Sequence, residues 1–345
     1  MTKSHSAFLF SCGIAILVGA CWNAVVQAAE APKMVWPKRL SPGDTIALIA
    51  PAGPPDREQV MRFKNHIEQR GYKVKLRDDM FDVEGYLAGS DQRRADEFNE
   101  AFADPDVDGV LCVRGGYGCM RMMPLVDWEA VKKNPKLLLG FSDITALHAG
   151  MNKAGIVSFH GPGPASGLGS EEGPTDFTAK YVVRAVETSA GPYTVEVSES
   201  VSQVASFGKG KATGRLVGGN LSLISALEGT PYAIDTQDAI LMIEDVNEAP
   251  YRIDRMVQQL KLAGKLDGIK GVVLGKFTED FVREDKLTDD KRFDTTGVLR
   301  QYFENLGVPV LVNYPIGHYP QNCTVPLGGE VEIDADAKTL KILAP

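Results

Sequence analysis

The segment LLLGFSDITALHAGMNK, residues 137–153, joins an apolar run, a serine and an apolar-periodic stretch without a break. The run from Leu137 to Phe141 predicts a buried strand, and the stretch from Asp143 to Lys153 predicts a helix. Ser142 lies at the turn between them. A serine there stands clear of the sheet, and the N–H groups of the helix N-terminus can stabilise an oxyanion. The segment predicts a strand-to-helix unit with a candidate nucleophile.

The same alternation precedes this segment. Short apolar runs predict strands at 45–50, 72–76 and 109–113, and helical patterns follow them at 56–69, 91–102 and around 122–131. Alternating strands and helices at this spacing predict an α/β fold with a parallel sheet and helices on both faces. Ligands of such sheets bind beyond the carboxyl ends of the strands, where Ser142 is expected.

The composition changes between about residues 161 and 214, where Gly, Ser, Thr and Glu dominate and indicate an extended connection. The remainder is predicted to be mixed α and β with more sheet. We predict a signal peptide at 1–28, an N-terminal domain at 36–195, a linker at 196–212 and a smaller, β-rich C-terminal domain at 213–345.

The first residues are typical of an export signal. Lys3 precedes an apolar run from Ala7 to Trp22, and the small residues of 26–28 suit signal peptidase. The run is shorter than the roughly 20 residues of a spanning helix, which favours a periplasmic protein over a permanent anchor. As an alternative, residues 18–21 resemble a lipobox, which would leave a lipid anchor at Cys21.

Charge and cysteine content limit the partners. The formal net charge is -8 and no basic cluster is present, so we expect no nucleic-acid partner. Beyond the leader, three cysteines (Cys112, Cys119 and Cys323) are too few for a disulfide framework, and Cys112 is predicted to be buried as a small apolar residue. Neither Cys-x-x-Cys nor His-Glu-x-x-His occurs, so no metal and no cofactor are predicted.

A glycine-rich turn, Arg114-Gly-Gly-Tyr-Gly118, follows the predicted strand at 109–113. Its glycines allow close approach of the backbone to a ligand and expose N–H groups, as the second half of an oxyanion hole requires. The spacing fits neither the dinucleotide fingerprint nor the Walker loop, which disfavours a nucleotide phosphate.

Two residues of the second half are candidate partners of Ser142. Glu244 ends a predicted buried strand, and His318 lies in a loop beyond the strand predicted at 308–312. A serine needs a base to take its proton, and that base is oriented by a carboxylate. A serine, a histidine and a glutamate at strand ends therefore satisfy the requirements of a triad.

Each candidate also has a structural interpretation. Ser142 is typical of a helix N-cap, and His318 is equally consistent with a hydrogen-bonded loop histidine. Glu244 and its neighbour Asp245 are alternatively solvated or paired with arginines of the following helix, Arg252 and Arg255. Two further histidines are rival bases: His148 and His160.

At these residues the sequence resembles the LD-carboxypeptidase family of serine peptidases, also called muramoyltetrapeptide carboxypeptidases. The motifs that carry the resemblance occur in order along nearly the whole chain after the leader. They are GDTIALIAPAG (43–53), RGGYG (114–118), GFSDIT (140–145), HGP (160–162), GGNL (218–221), IEDVNEAPYRIDR (243–255), GHYPQN (317–322) and PLG (326–328).

The resemblance implies a Rossmann-like first domain and a triad of Ser142, Glu244 and His318 that spans both domains. It also implies an oxyanion hole formed by the backbone N–H groups of Asp143 and Gly116. The neighbouring Gly115 and Tyr117 are candidate substrate-binding residues.

The implied reaction is metal-independent hydrolysis of an L,D peptide bond, releasing terminal D-alanine from murein tetrapeptides through an acyl-enzyme. Its substrate is polymeric peptidoglycan or a soluble fragment, and the family suggests a homodimer. Two alternatives remain: a related peptidase acting on peptidyl or aminoacyl nucleotides, of the microcin-immunity type, and a non-catalytic periplasmic solute-binding protein.

Overall fold

The computed structural model describes Met1 and residues 34–187, 191–278 and 293–344. The predicted signal peptide at 1–28, including Cys21, lies outside the described residues apart from Met1. From residue 33 onward the chain forms one compact unit built on two sheets. The elements of the first half are β1 Thr45–Ile49, α1 Arg57–Gln69, β2 Lys73–Lys75, α2 Asp91–Ala103, β3 Gly109–Cys112, α3 Cys119–Met122, α4 Trp128–Lys133, β4 Leu137–Gly140, α5 Thr145–Lys153, β5 Ser158–His160 and α6 Asp176–Val186.

The second half continues the numbering and contributes most of the second sheet. Its elements are β6 Tyr193–Val195, β7 Ala205–Phe207, β8 Lys211–Asn220, α7 Leu221–Leu227, β9 Ala239–Val246, α8 Pro250–Leu262, β10 Gly271–Thr278, α9 Thr295–Phe303, β11 Val310–Val312, β12 Val325–Leu327, β13 Glu330–Asp334 and β14 Thr339–Ile342.

The first sheet has the strand order β12-β5-β4-β3-β1-β2, and every pairing in it is parallel except that of β12 with β5. Strands β1, β3 and β4 are buried along their whole length, as expected of parallel strands covered on both faces. Because these three strands are parallel neighbours, the loops that follow them meet at one edge of the sheet. The parallel α/β prediction is confirmed.

The second sheet has the order β6-β14-β13-β8-β9-β10-β11-β7. Its centre, β8 to β11, is parallel, and the flanking pairings are antiparallel. The mixed, β-rich second half is therefore also confirmed. Glu244 lies near the end of β9. It is paired in register with Asn220, the last residue of β8.

Each predicted domain contributes one strand to the sheet formed mainly by the other domain. Strand β6, from the segment predicted as the first domain, pairs with β14 in the second sheet, and β12 returns to the edge of the first. The boundaries predicted at 36–195, 196–212 and 213–345 stay a prediction.

Several elements of the described chain were not predicted from the sequence, namely β5, β6, β7, β12, α6 and α7. Helix α6 lies in the segment interpreted as a connection. The sequence feature that marks its start is the N-cap Thr175, whose Oγ1 accepts a hydrogen bond from Thr178 N at 3.3 Å. The helix predicted at 56–69 is confirmed as α1, and Asp56 caps it, since Asp56 Oδ1 accepts from Gln59 N at 2.8 Å.

The three described cysteines are free and buried, which confirms the prediction for Cys112. Burial raises the pKa of the thiols of Cys112, Cys119 and Cys323. Within the described ranges, every helix is too short or too polar to span a membrane.

The carboxyl end of β8 packs directly against the first sheet's helix α5. Asn220 N donates a hydrogen bond to Thr145 Oγ1 at 3.0 Å. Gly218 and Gly219 precede it with φ of +130° and +134°. A Cβ on Gly218 would overlap the carbonyl oxygen of Met242 on β9, and one on Gly219 would lie 2.6 Å from Thr145 Oγ1. Gly219 is therefore required for the approach of the two sheets, and Gly218 for the pairing of β8 with β9 beside it.

We expect Gly218→Ala to lower the free energy of unfolding by about 3 kcal/mol or more, because left-handed strain and overlap with a backbone atom add. Gly210→Ala is the matched control. Gly210 also has a positive φ, +83°, but a Cβ there meets no atom within 4 Å. Its cost should be about 1 kcal/mol. Urea unfolding of both variants measures the difference, and equal losses would contradict the packing argument.

Candidate active site

Ser142 occupies a strained backbone position at the end of β4. Phe141 before it is extended, Ser142 itself has φ +64°, and a 3-10 turn at Ser142–Ile144 leads into α5. The N-cap interpretation is wrong, because the cap positions of the turn and of α5 are Phe141 and Ile144, without a side-chain cap. A non-glycine residue in this region costs about 1–2 kcal/mol, and such strain concentrates at functional sites.

The glycine-rich loop lies against Ser142. A Cβ on Gly115 would lie 2.9 Å from Ser142 Cβ and 3.1 Å from Ser142 Oγ. The loop is tied to the end of β1, since Gly53 N donates to Gly115 O at 3.1 Å. Gly116 follows with φ +111°. Only a glycine at position 115 lets this backbone approach the serine so closely.

The side chain of Asp143 joins the serine turn to the glycine-rich loop. It is buried, and its Oδ2 accepts a hydrogen bond from Cys119 N, at the end of that loop, at 2.7 Å. Burial raises the pKa of this carboxyl group, and the bond to the Cys119 backbone acts in the opposite sense. In the sequence, Asp143 is a candidate only through its backbone N–H, and no local pattern marks the role of its carboxyl group.

Helix α2, predicted as a polar helix, places buried charges under the same loops. Arg94 is fully buried and donates to Pro51 O at 2.8 Å and to Gly118 O at 2.7 Å. Glu97 accepts from Ala50 N at 2.8 Å. These groups hold the ends of the loops that follow β1 and β3. The signal in the sequence is that these charges alternate with Ala95, Phe98 and Ala101, which face the core.

Glu244 and His318 are hydrogen-bonded to each other. His318 Nδ1 lies 2.7 Å from Glu244 Oε2, and the Glu244 side chain is fully buried whereas that of His318 is 20% exposed. The backbone of the histidine loop is fixed next to this contact, since Gly317 N donates to Asn322 Oδ1 at 3.0 Å. A Cβ on Gly317, whose φ is +106°, would overlap Glu244. The glycine before His318 is therefore required by the glutamate.

The two groups shift each other's pKa. Burial acts to raise the pKa of Glu244, but His160 and His318 outweigh it and hold this pKa at about 2. Burial acts to lower the pKa of His318, and the hydrogen bond and charge of Glu244 outweigh it, so that the pKa is raised above the ordinary 6.5. At neutral pH Glu244 is an ionised acceptor.

Phe141 brings the serine turn next to the histidine that bonds Glu244. The ring of Phe141 packs on that of His318 with centroids 4.7 Å apart, and Ser142 is the next residue. Tyr117, within the glycine-rich loop, is exposed, and the centroid of its ring lies 5.6 Å from that of Tyr86. Its assignment to substrate binding stays a prediction.

The structural alternatives for the carboxylates are wrong. Asp245 is buried and accepts hydrogen bonds from Asn220 Nδ2 at 3.0 Å and from Ser222 Oγ at 2.8 Å. Glu244 is bonded to His318, and Arg252 lies instead 3.4 Å from Glu248. Neither carboxylate is solvated.

His148 does not fit the role of a base. Its Nδ1 lies 2.8 Å from Ser158 Oγ and its Nε2 lies 2.8 Å from Gly140 O, so both ring nitrogens are occupied. Burial lowers the pKa of His148 to about 3, so the ring is neutral. Its contact with Gly140 O fixes the last residue of β4.

A cavity of about 500 Å³ opens beside the His318 ring. Phe141 and the histidine loop form one side of the cavity. The segment before and at the start of α6 forms the other side and supplies several hydroxyl groups. The lining residues are Phe141, Ala165, Ser166, Gly167, Ser170, Gly173, Pro174, Thr175, Thr178, Gly317, His318, Tyr319, Pro320 and Asn322.

Two sequence models of known families match this chain. Residues 46–161 match the LD-carboxypeptidase N-terminal domain, and residues 213–333 match the LD-carboxypeptidase C-terminal domain. A protein of Bacillus subtilis, named probable murein peptide carboxypeptidase, is 38% identical over 309 residues, covering 89% of this chain and 94% of that protein.

Solved structures share the fold over nearly their whole length. The muramoyltetrapeptide carboxypeptidase of Oxalobacter formigenes is 30% identical with a TM-score of 0.74, covering 86% of this chain and 97% of the other. The microcin C7 self immunity protein MccF, in complex with aspartyl sulfamoyl adenosine, is 26% identical with a TM-score of 0.81, covering 90% of this chain and 99% of the other.

We expect Ser142→Gly to be more stable than Ser142→Ala by about 1 kcal/mol, because glycine alone adopts φ near +64° without strain. Both variants lose the hydroxyl group, so the comparison isolates the backbone. Denaturant unfolding of the two proteins measures it. An alanine variant as stable as the glycine variant would show that the turn is unstrained.

Proposed function

The chain belongs to the LD-carboxypeptidase family and is a peptidase, and from this we propose that it is a serine carboxypeptidase that releases terminal D-alanine from murein tetrapeptides. The observation that carries the proposal is the buried contact of Glu244 with His318, beside a serine held at φ +64°. A solute-binding protein needs neither feature.

The proton positions follow from the Glu244 contact. An ionised carboxylate only accepts hydrogen bonds, so His318 Nδ1 must donate to it, and the lone pair of the neutral ring is then on Nε2. Nε2 is the atom that would take the proton of Ser142 as the hydroxyl oxygen attacks the peptide carbonyl. The protonated ring then gives this proton to the departing amine of D-alanine, and water hydrolyses the acyl-enzyme by the same steps.

The backbone N–H groups of Asp143 and Gly116 are proposed to bind the oxyanion. The support is the close approach of the glycine-rich loop to Ser142 and its fixation by the Asp143 and Arg94 side chains. Donors held in place before the reaction stabilise developing charge without reorganisation. Removal of one such donor typically costs about 10²- to 10³-fold in kcat.

The cavity beside His318 is proposed to receive the part of the substrate next to the scissile bond. Its wall from Ala165 to Thr178 lies between the two stretches that match the family, 46–161 and 213–333. The proposed substrate contact therefore lies in a segment outside both family matches. We further propose export and a homodimer, so that the enzyme meets peptidoglycan or its fragments outside the cytoplasm.

An aminoacyl nucleotide is the second candidate substrate. The observation that favours it is the TM-score of 0.81 with the self immunity protein, against 0.74 with the muramoyltetrapeptide carboxypeptidase. The higher sequence identity of the carboxypeptidase relatives favours the tetrapeptide.

We expect purified protein to release D-alanine from murein tetrapeptide and Ser142→Ala to release none above background. An aminoacyl-adenylate analogue, tested in parallel, separates the two substrate classes. Asp56→Asn serves as a folded control with wild-type activity, because asparagine can still cap the start of α1. Equal release by wild type and Ser142→Ala, or turnover of the nucleotide alone, would contradict the proposal.

We expect kcat/KM to rise with pH as His318 loses its proton, with a midpoint above 6.5 because Glu244 raises the pKa of this ring. Glu244→Gln removes the charge but keeps the burial, so its midpoint should move to lower pH. Activity should fall by about 10²- to 10⁴-fold, the usual contribution of general acid–base catalysis. An unchanged midpoint in Glu244→Gln would exclude His318 as the titrating base.

A further inference from the structure

His160 is a buried histidine that the proposed mechanism does not use. It ends β5, its side chain is fully buried, and neither ring nitrogen has a hydrogen-bond partner among the described residues. Its Nε2 lies 3.8 Å from Glu244 Oε1, which also has no partner in that part of the chain. An unsatisfied buried polar group costs about 1–3 kcal/mol, so two such groups facing each other indicate an interaction.

The position of His160 follows from the first sheet. His160 is paired in register with Gly140 on β4 and with Val325 on β12. Gly140 is two residues before Ser142, and the ring of Phe141 stands edge-on to that of His160 with centroids 5.8 Å apart. Glu244 belongs to the second sheet. The contact therefore joins the sheet that carries the nucleophile to the carboxylate that orients the base.

Other neighbours do not account for the two free nitrogens. The ring of His148 is 6.1 Å away, and its own nitrogens are occupied by Ser158 and Gly140. Glu244 Oε2 is occupied by His318. Among the described buried polar atoms without a hydrogen-bond partner, His160 Nε2 and Glu244 Oε1 are a pair that face each other, 3.8 Å apart.

Building on the proposed function, we propose that His160 is a positioning residue, which donates Nε2–H to Glu244 Oε1 while His318 donates to Oε2. The glutamate is then held at both oxygens and cannot rotate about its terminal bond. His318 is thereby kept with Nε2 toward Ser142, and the carboxylate stays ionised beside the imidazolium formed during the reaction. His160 touches neither the nucleophile nor the substrate in this role.

The test compares two replacements of similar size. His160→Gln keeps an N–H donor near the position of Nε2, and His160→Phe fills the space without a donor. We expect the rate of labelling of Ser142 by a fluorophosphonate to fall about 10- to 100-fold in His160→Phe, in the range found when groups that orient a reactive centre are removed. His160→Gln should regain most of this rate. With murein tetrapeptide, kcat should fall while KM stays near the wild-type value.

A double-mutant cycle assigns the effect to Glu244. If His160 acts through this carboxylate, His160→Phe should cause little further loss in the Glu244→Gln background. Additive losses, wild-type labelling of a folded His160→Phe protein, or equal losses in the Gln and Phe variants would each overturn the proposal. Circular dichroism and the thermal midpoint establish folding. Should His160→Phe not fold, His160→Asn replaces it, because its shorter amide cannot reach Glu244 and the same loss is expected.

The labelling assay separates this inference from the proposed function. A wild-type protein that the fluorophosphonate does not label is not a serine hydrolase, and the proposed function then fails. If the wild-type protein is labelled but releases no D-alanine, the proposed substrate is wrong. The role of His160 is then still decided by the labelling rates of its variants.

Discussion

The carboxylate of Glu244 is buried completely at the contact between the two sheets, and the neighbouring structure is arranged to tolerate it. An unpaired buried carboxylate would cost several kcal/mol or take up a proton. His160 at the end of β5 and His318 in the loop before β12 prevent this, and they hold the pKa of Glu244 at about 2. Space is provided by glycines: a Cβ on Gly275 would lie 3.0 Å from Glu244 Cβ, and one on Gly317 would overlap the carboxylate. Glycine at these two positions therefore lets β10 and the histidine loop pack directly against Glu244.

The nucleophile side depends on a second set of buried polar contacts. Arg94 and Glu97 on α2 bond the backbone of the loops that follow β1 and β3, and Asp143 bonds the start of α3. Backbone groups at the ends of parallel strands have no strand partner and need other acceptors and donors. The charged residues of α2 supply them. This arrangement fixes the glycine-rich loop against Ser142 and offsets the strain of its backbone.

The sequence was sufficient to predict elements whose pattern is local. The apolar runs of β1, β3 and β4 and the capped helix α1 were found because burial and capping leave a signal within a few residues. Strand β5 has three residues, which are too few to show a periodicity, and one of its two partners, β12, is distant in the chain. The carboxylate role of Asp143 and the burial of Glu244, Asp245 and Arg94 arise from contacts between distant segments. Charged residue types predict exposure by default, and only the packed structure reverses that prediction.

The site therefore has parts with different physical constraints. Ser142, Glu244 and His318 are held by buried contacts in which a change of one side chain leaves a charge or a backbone group without a partner. The cavity wall from Ala165 to Thr178 consists mainly of glycine, proline and hydroxyl-bearing residues. Ser166, Gly167 and Thr175 are partly exposed, and substitutions at partly exposed positions cost little stability. The proposed substrate contact therefore lies where substitutions are tolerated, whereas the reacting groups are fixed by buried contacts.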